Sequence, residues 1–146
     1  MSKFVTSEVV PRSSVPEILW RLLQTFWVGG IWLLHFLVLP GLSQSGLAQL
    51  LVDEVAAALV PQMVAVSLCS ALMQLLILAR WRGFAALFRE RAGQLLLAVV
   101  CVALALLAVL QLGLQALYWQ TFAYLLLAFF GFLLVIQPLP VARATA

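Results

Sequence analysis

Between positions 95 and 112 the chain carries no charged side chain, and Gln111 and Cys101 are the sole interruptions of a run of Leu, Val and Ala. Wound as an α-helix, that run is about 27 Å long and apolar on every side. A helix of this kind needs an apolar environment all round, either a large protein core or lipid. At 146 residues the chain has the length of one domain. Further apolar stretches at about 18–39, 57–79 and 116–136 leave little polar sequence from which to build a surface. Apolar residues make up 66% of the chain and charged residues 9%, against about 45–50% and 25% in soluble domains. Lipid is the solvent in which such a composition is stable. The sequence therefore predicts an all-α integral membrane protein. It would be a four-transmembrane-helix bundle occupying 1–146 as one domain, with an extracytoplasmic interfacial helix between spans 1 and 2.

The lead up to Pro16 is polar and of mixed charge. The apolar run behind it exceeds the roughly 7–15 residues of a signal-peptide core, so a cleavable signal is not expected. Ser14-Val15-Pro16-Glu17 is a helix start: a capping hydroxyl, a proline in the first turn and an acid near the positive helix end. The first span follows to Leu39; its roughly 22 residues reach about 33 Å, enough for a hydrocarbon core of about 30 Å. Pro40-Gly41 is expected to end it. Ser45 is expected to cap an amphipathic surface helix, with Leu47, Leu50, Leu51 and Val55 on one side and Gln49 and Asp53 opposite. Pro61 should kink the chain or restart the helix at the junction with the second span.

Polar residues inside the spans fall on shared faces. Gln24, Ile31 and His35 lie on one side of the first helix, and Ser67, Ser70 and Gln74 on one side of the second. Gln120, Tyr124, Ala128 and Gly131 do the same on the fourth. Such faces should turn toward other helices. Gly29, Gly30, Ala98, Ala105 and Gly131 are small residues suited to close helix packing, although the glycine pair also has the makings of a hinge. Gly113-Leu114-Gln115 reads as a tight turn. Cys69 and Cys101 lack CxxC spacing and sit in apolar runs, as buried thiols acting as small hydrophobes would.

Orientation follows from charge. Lys3, Arg12, Arg21, Arg80, Arg82, Arg89, Arg91 and Arg143 all fall on one side of a four-span chain, and the opposite loops hold Asp53 and Glu54 instead. The positive-inside rule places both termini in the cytoplasm of a bacterial inner membrane. Arg80, Arg82, Arg89 and Arg91, with Trp81, Phe84 and Phe88, form a loop suited to anionic headgroups, either as a topology anchor or as a docking surface for a partner. Nothing in the charge pattern resembles a nucleic-acid surface.

In that orientation the polar inventory is weighted toward the outer leaflet, through His35, Gln62, Gln111, Gln120, Asp53 and Glu54. These are the candidate ligand or proton-site residues. His35, the single histidine, could serve as a metal or haem ligand or as a proton carrier, or hold two helices together as a neutral imidazole. One histidine is a poor start for a zinc or copper centre, which takes three or four ligands. The spans hold no paired carboxylates, and neither a phosphate-binding glycine loop nor a Ser/His/Asp set is visible, so no catalytic residue, metal site or cofactor is assigned.

An aromatic residue followed by Trp-Val-Gly-Gly and an apolar run ending in proline, here Phe26, Trp27, Val28, Gly29, Gly30 and Pro40, resembles the opening helix of a family of small four-span membrane proteins. The family includes bacterial domains of unknown function and the eukaryotic transmembrane protein 205. The resemblance implies a four-helix bundle and no settled activity; His35 is not part of the shared pattern. A more distant likeness is to copper-resistance protein D and to a membrane haem-pathway oxidase family, whose bundles rely on more intramembrane histidines than this chain has. The leading expectation is a non-enzymatic protein that assembles with itself or with a larger membrane complex. The rivals are a redox, haem or metal-handling protein using His35 and an oligomeric small-solute transporter.

Overall fold

The computed structural model describes residues 15–112 and 117–137, and every long element in it is helical. Helix α1 (Val15–Leu33) runs through a π turn (Leu34–Val38) into the short α2 (Leu39–Gln44). Next come α3 (Gln49–Arg82), the short α4 (Phe84–Arg89), α5 (Arg91–Gln111) and α6 (Leu117–Ile136). Four stretches are long and apolar enough to cross a membrane: Val15–Gln44, Gln49–Arg82, Arg91–Gln111 and Trp119–Ile136. The chain is thus an all-α, multi-pass membrane bundle. In it α1 packs beside α3, α3 beside α5 and α5 beside α6, and α6 closes the ring on α1. The bundle end bearing Arg80, Arg82, Arg89 and Arg91 is called here the arginine end; the opposite end, where α2 meets α3, is the distal end. The helix-start Ser14, the Gly113–Gln115 turn and the tail with Arg143 lie outside the described residues.

The core is filled by the large side chains that the helical period brings inward, among them Trp27, Ile31, Leu96, Leu106, Leu127 and Leu134. Polar residues on the shared faces also turn inward: Gln24, Ser67, Ser70 and Gln74 are buried. Gln74, fully enclosed, ties two helices together. Its Oε1 accepts from the Trp27 indole N–H at 3.3 Å, and its amide donates to the Trp20 carbonyl at 3.2 Å. In an apolar medium an interhelical bond of this kind is worth roughly 0.6–2 kcal/mol. Ser67 is satisfied within its own helix by the Met63 carbonyl, 2.7 Å away.

Pro40 departs from the sequence expectation, and at Pro61 the expected restart is absent. Pro40 does not end the first span. The helix widens before it: Leu39 gives its N–H to Leu34, five residues back, and α2 carries the chain on to Gln44. The wider turn makes room for a ring that would otherwise press on the carbonyl four residues before it. Pro61 neither stops nor restarts its helix. It lies inside α3, whose 34 residues run unbroken from Gln49, a rod of about 51 Å. The expected surface helix is therefore the first part of α3 rather than a separate element. Leu47 just before it and Leu50 and Leu51 within it stay exposed, and Val52 packs inward. Ser45 does not cap α3 but closes α2, its hydroxyl donating to the Leu42 carbonyl at 2.7 Å; Ala48 precedes α3 without a side-chain cap.

The small residues also sort differently. At Gly29 a Cβ would meet nothing within 4 Å, and at Gly30 only the Met63 sulfur at 3.4 Å. The pair is thus not a point of close approach between helices of this chain. Ala105 faces outward and Ala98 is half-buried, whereas Ala103 on the same helix is fully buried. The glycines that permit close contact are Gly131, where a Cβ would lie 3.0 Å from the Trp27 ring, and Gly93, where it would lie 2.6 Å from the Leu87 carbonyl oxygen. Cys69 and Cys101 are free thiols on the outside of the bundle, not in its core. A helix within lipid has no need to bury an apolar or weakly polar side chain, so composition alone does not tell the two faces apart.

These contacts separate the glycines experimentally. Gly93→Val should lower thermal stability in detergent, by the roughly 1–3 kcal/mol typical of overpacking, because backbone rather than a mobile side chain opposes the new atoms. Gly29→Ala should leave the melting temperature unchanged or raise it slightly.

Candidate functional site

The distal end holds a cleft of about 510 Å³ between the first span, α3, α5 and α6. Each helix supplies a distinct part of it. The π turn and the start of α2 bring His35 and Leu39; α3 brings Asp53, Ala56, Ala57, Val60 and Pro61. Leu106 and Leu110 come from α5, and Gln120, Thr121 and Tyr124 from α6. Buried Leu106 and Tyr124 form the floor, while Asp53, Ala57 and Thr121 are exposed at the rim.

His35 is half-buried, its ring 5.4 Å from that of Tyr124 and 5.2 Å, edge-on, from that of Phe36. It stands in the turn that Pro40 widens, so its place on the cleft wall depends on the local break in helical register. Tyr124 donates its hydroxyl hydrogen to the Ile31 carbonyl at 3.3 Å, which holds α6 against α1 just below the cleft. Asp53 accepts from the Gln49 side-chain amide at 3.3 Å, one turn earlier on α3. The walls are otherwise hydrocarbon, so the cleft offers an apolar volume with polar groups at one side and one carboxylate at its mouth.

Of the six candidate residues, the fold brings His35, Asp53 and Gln120 to this cleft. Glu54, Gln62 and Gln111 are exposed elsewhere on the distal half and do not line it. Sequence reasoning missed Thr121 and did not assign Tyr124 to a site. The available signal was the spacing of Gln120, Thr121 and Tyr124, three polar groups within one turn of an otherwise apolar helix. No group of three or more His, Cys, Asp or Glu side chains that could hold a metal ion exists among the described residues.

At the arginine end the four basic residues do not act alike. Arg82 and Glu90 are both half-buried and form an ion pair at 2.8 Å, which closes the turn through Gly83 and α4. Gly83 has φ of 80°, the left-handed region that favours glycine. Gln94 secures the same turn by donating to the Phe88 carbonyl at 2.7 Å. Arg80, Arg89 and Arg91 remain exposed, as do Trp81, Phe84 and Phe88.

The fold and the cleft together define a class: a small four-span membrane bundle with a polar-sided cleft at the end opposite its arginines. No family model, curated protein or solved structure matches the chain.

Replacing Tyr124 by Phe leaves the Ile31 carbonyl without its second donor and removes one tie between α1 and α6. Unfolding in detergent should show a loss of roughly 0.6–1.7 kcal/mol, the range of measured membrane hydrogen bonds, with helix content unchanged.

Proposed function

We propose that this chain is a non-enzymatic binding protein of a bacterial cytoplasmic membrane, with both termini on the cytoplasmic side and its distal cleft opening toward the outer leaflet. The observation that carries this reading is the cleft itself. His35, Asp53, Gln120, Thr121 and Tyr124 come from three separate parts of the chain and converge on one apolar volume. That mixture of a hydrocarbon wall and a few convergent polar groups is what small-molecule sites have in common. Asp53 accepts from Gln49 and Tyr124 donates to Ile31, contacts that hold these side chains in place, which favours binding over turnover. The orientation is supported by Arg21, Arg80, Arg82, Arg89 and Arg91 toward one end of the bundle and Asp53 and Glu54 at the other.

Assembly with a second copy or a larger membrane complex is the companion reading. What favours it is the outward position of Gly29 and Ala105, small residues in mid-helix that leave space beside α1 and α5. The exposed Arg80, Arg89 and Arg91 suit anionic headgroups next to such a contact. The likeness of Phe26–Gly30 and Pro40 to the four-span family agrees with a helical membrane protein and adds no activity. Metal or haem chemistry is the weakest reading, since His35 and Asp53 are the sole ligand-type side chains at the cleft.

Two measurements test these statements. Single cysteines introduced at Ser45 and at Arg89, in a background lacking Cys69 and Cys101, should react with an impermeant maleimide on intact spheroplasts at position 45 alone. Reaction at 89 in place of 45 would reverse the orientation. Native mass spectrometry from gentle detergent should retain a small molecule or lipid that is lost when Ala57→Trp fills the cleft. Equal retention by both forms would move the site elsewhere.

A further inference from the structure

The cleft is lined by Pro61 and by Leu39, the residue before Pro40, and both prolines stand inside a helical run. A helix residue normally donates its N–H to the carbonyl four positions earlier, or five positions earlier in a π turn. Proline has no N–H to donate. In α3 the carbonyl of Ala57 would be served by position 61, and Pro61 cannot serve it. In the first span the carbonyl of His35 would be served by position 39 or 40. Leu39 gives its N–H to Leu34, and Pro40 has none. Thus one main-chain carbonyl on each of two facing walls loses its helical donor.

Both belong to residues that line the cleft. A helical carbonyl points along the axis toward the residue four positions on, and the flanking residues His35 and Leu39, like Ala57 and Pro61, are lining residues. Asp53, one turn before Ala57 on the same face of α3, adds a carboxylate at the mouth. The nearest phenol already gives its hydrogen to Ile31. Two carbonyls and a carboxylate form a set of acceptors, and an unserved carbonyl next to lipid is costly until a donor reaches it. Leu39, Val60, Leu106 and Leu110 supply hydrocarbon, and Gln120 and Thr121 stand on the α6 side of the cleft.

We infer that the cleft takes an organic ammonium with an apolar body: N–H⁺ directed to the His35 and Ala57 carbonyls, charge opposite Asp53, hydrocarbon against α5. This assignment rests on the cleft being a binding site and names the ligand class that its two prolines select. A neutral apolar molecule would fill the volume and leave the acceptors unserved; an anion would meet Asp53 with like charge.

The experiment uses the full chain in nanodiscs and three probes of nearly identical shape: 1-adamantanamine as its cation, 1-adamantanol, and adamantane-1-carboxylate. Binding is followed by ligand-observed NMR against empty nanodiscs. The expected order is amine first, alcohol weaker, carboxylate undetectable. Asp53→Asn should weaken the amine at least about ten-fold, as expected for loss of a charge-assisted contact, and leave the alcohol unchanged. Pro40→Ala and Pro61→Ala each restore an N–H without adding bulk, and each should weaken the amine while circular dichroism shows the helices intact. Equal binding of all three probes, or an amine indifferent to Asp53→Asn and to both proline variants, overturns the ammonium assignment but leaves a cleft that binds apolar molecules. Failure of all three to bind overturns the binding site as well.

Discussion

In hydrocarbon there is no water to take a hydrogen bond, so each main-chain N–H and C=O must find its partner within the protein. That constraint accounts for most of this molecule. It turns every long apolar stretch into a helix and makes the four helices lie side by side. It also gives particular weight to the places where the pattern is interrupted. Two interruptions fall at Pro40 and Pro61; Pro61 lines the cleft, and so do His35 and Leu39 in the turn just before Pro40. Irregular backbone at membrane depth is tolerated where it is buried in protein or lines a cavity, and here it lies at a distal cleft in which polar side chains converge.

Packing between the helices rests on a few specific contacts rather than on burial in general, since lipid is as apolar as leucine. Gln74 bonded to Trp27 and Trp20 secures α3 to α1; Tyr124 bonded to Ile31 secures α6 to α1. Gly131 lets α6 lie against the Trp27 ring. Trp27 therefore stands where three helices meet. It receives a polar tie from one side and close contact from another. The arginine end is held by different means, a half-buried Arg82–Glu90 pair across a tight turn.

Much of this was legible in the sequence, and the reasons are specific. A long charge-free run can be little else than a span, so the four-helix bundle followed from it. Polar residues at helical spacing, such as Ser67, Ser70 and Gln74, could be assigned inward because lipid penalises them. The same logic had no hold on Gly29, Ala105, Cys69 or Cys101, whose placement toward lipid or protein is nearly neutral in energy, and all four proved to face outward. The prolines misled for a different reason. Their local effect opposes a helix, yet in lipid no better alternative exists, so the helix adapts by a π turn at Pro40 and continues as one element past Pro61. Of the cleft, the sequence disclosed His35, Asp53 and Gln120 as a polar group near one end; that they line one cleft with Pro61 and Ala57 depends on α3 continuing past the expected break.

That continuity has a mechanical side. Because α3 is one rod from Gln49 to Arg82, Asp53 and Arg80 cannot move independently along the bilayer normal. The helix, at about 51 Å, is longer than a hydrocarbon core of about 30 Å; with Trp81 and Arg80 held at one headgroup layer, the surplus length would project from the other. A bilayer of greater thickness would draw the Asp53 carboxylate toward the acyl chains and strengthen its field; a thinner one would leave it bathed and screened. The character of the mouth is thus set in part by the host lipid, through nothing more than the length of a helix that a proline failed to cut.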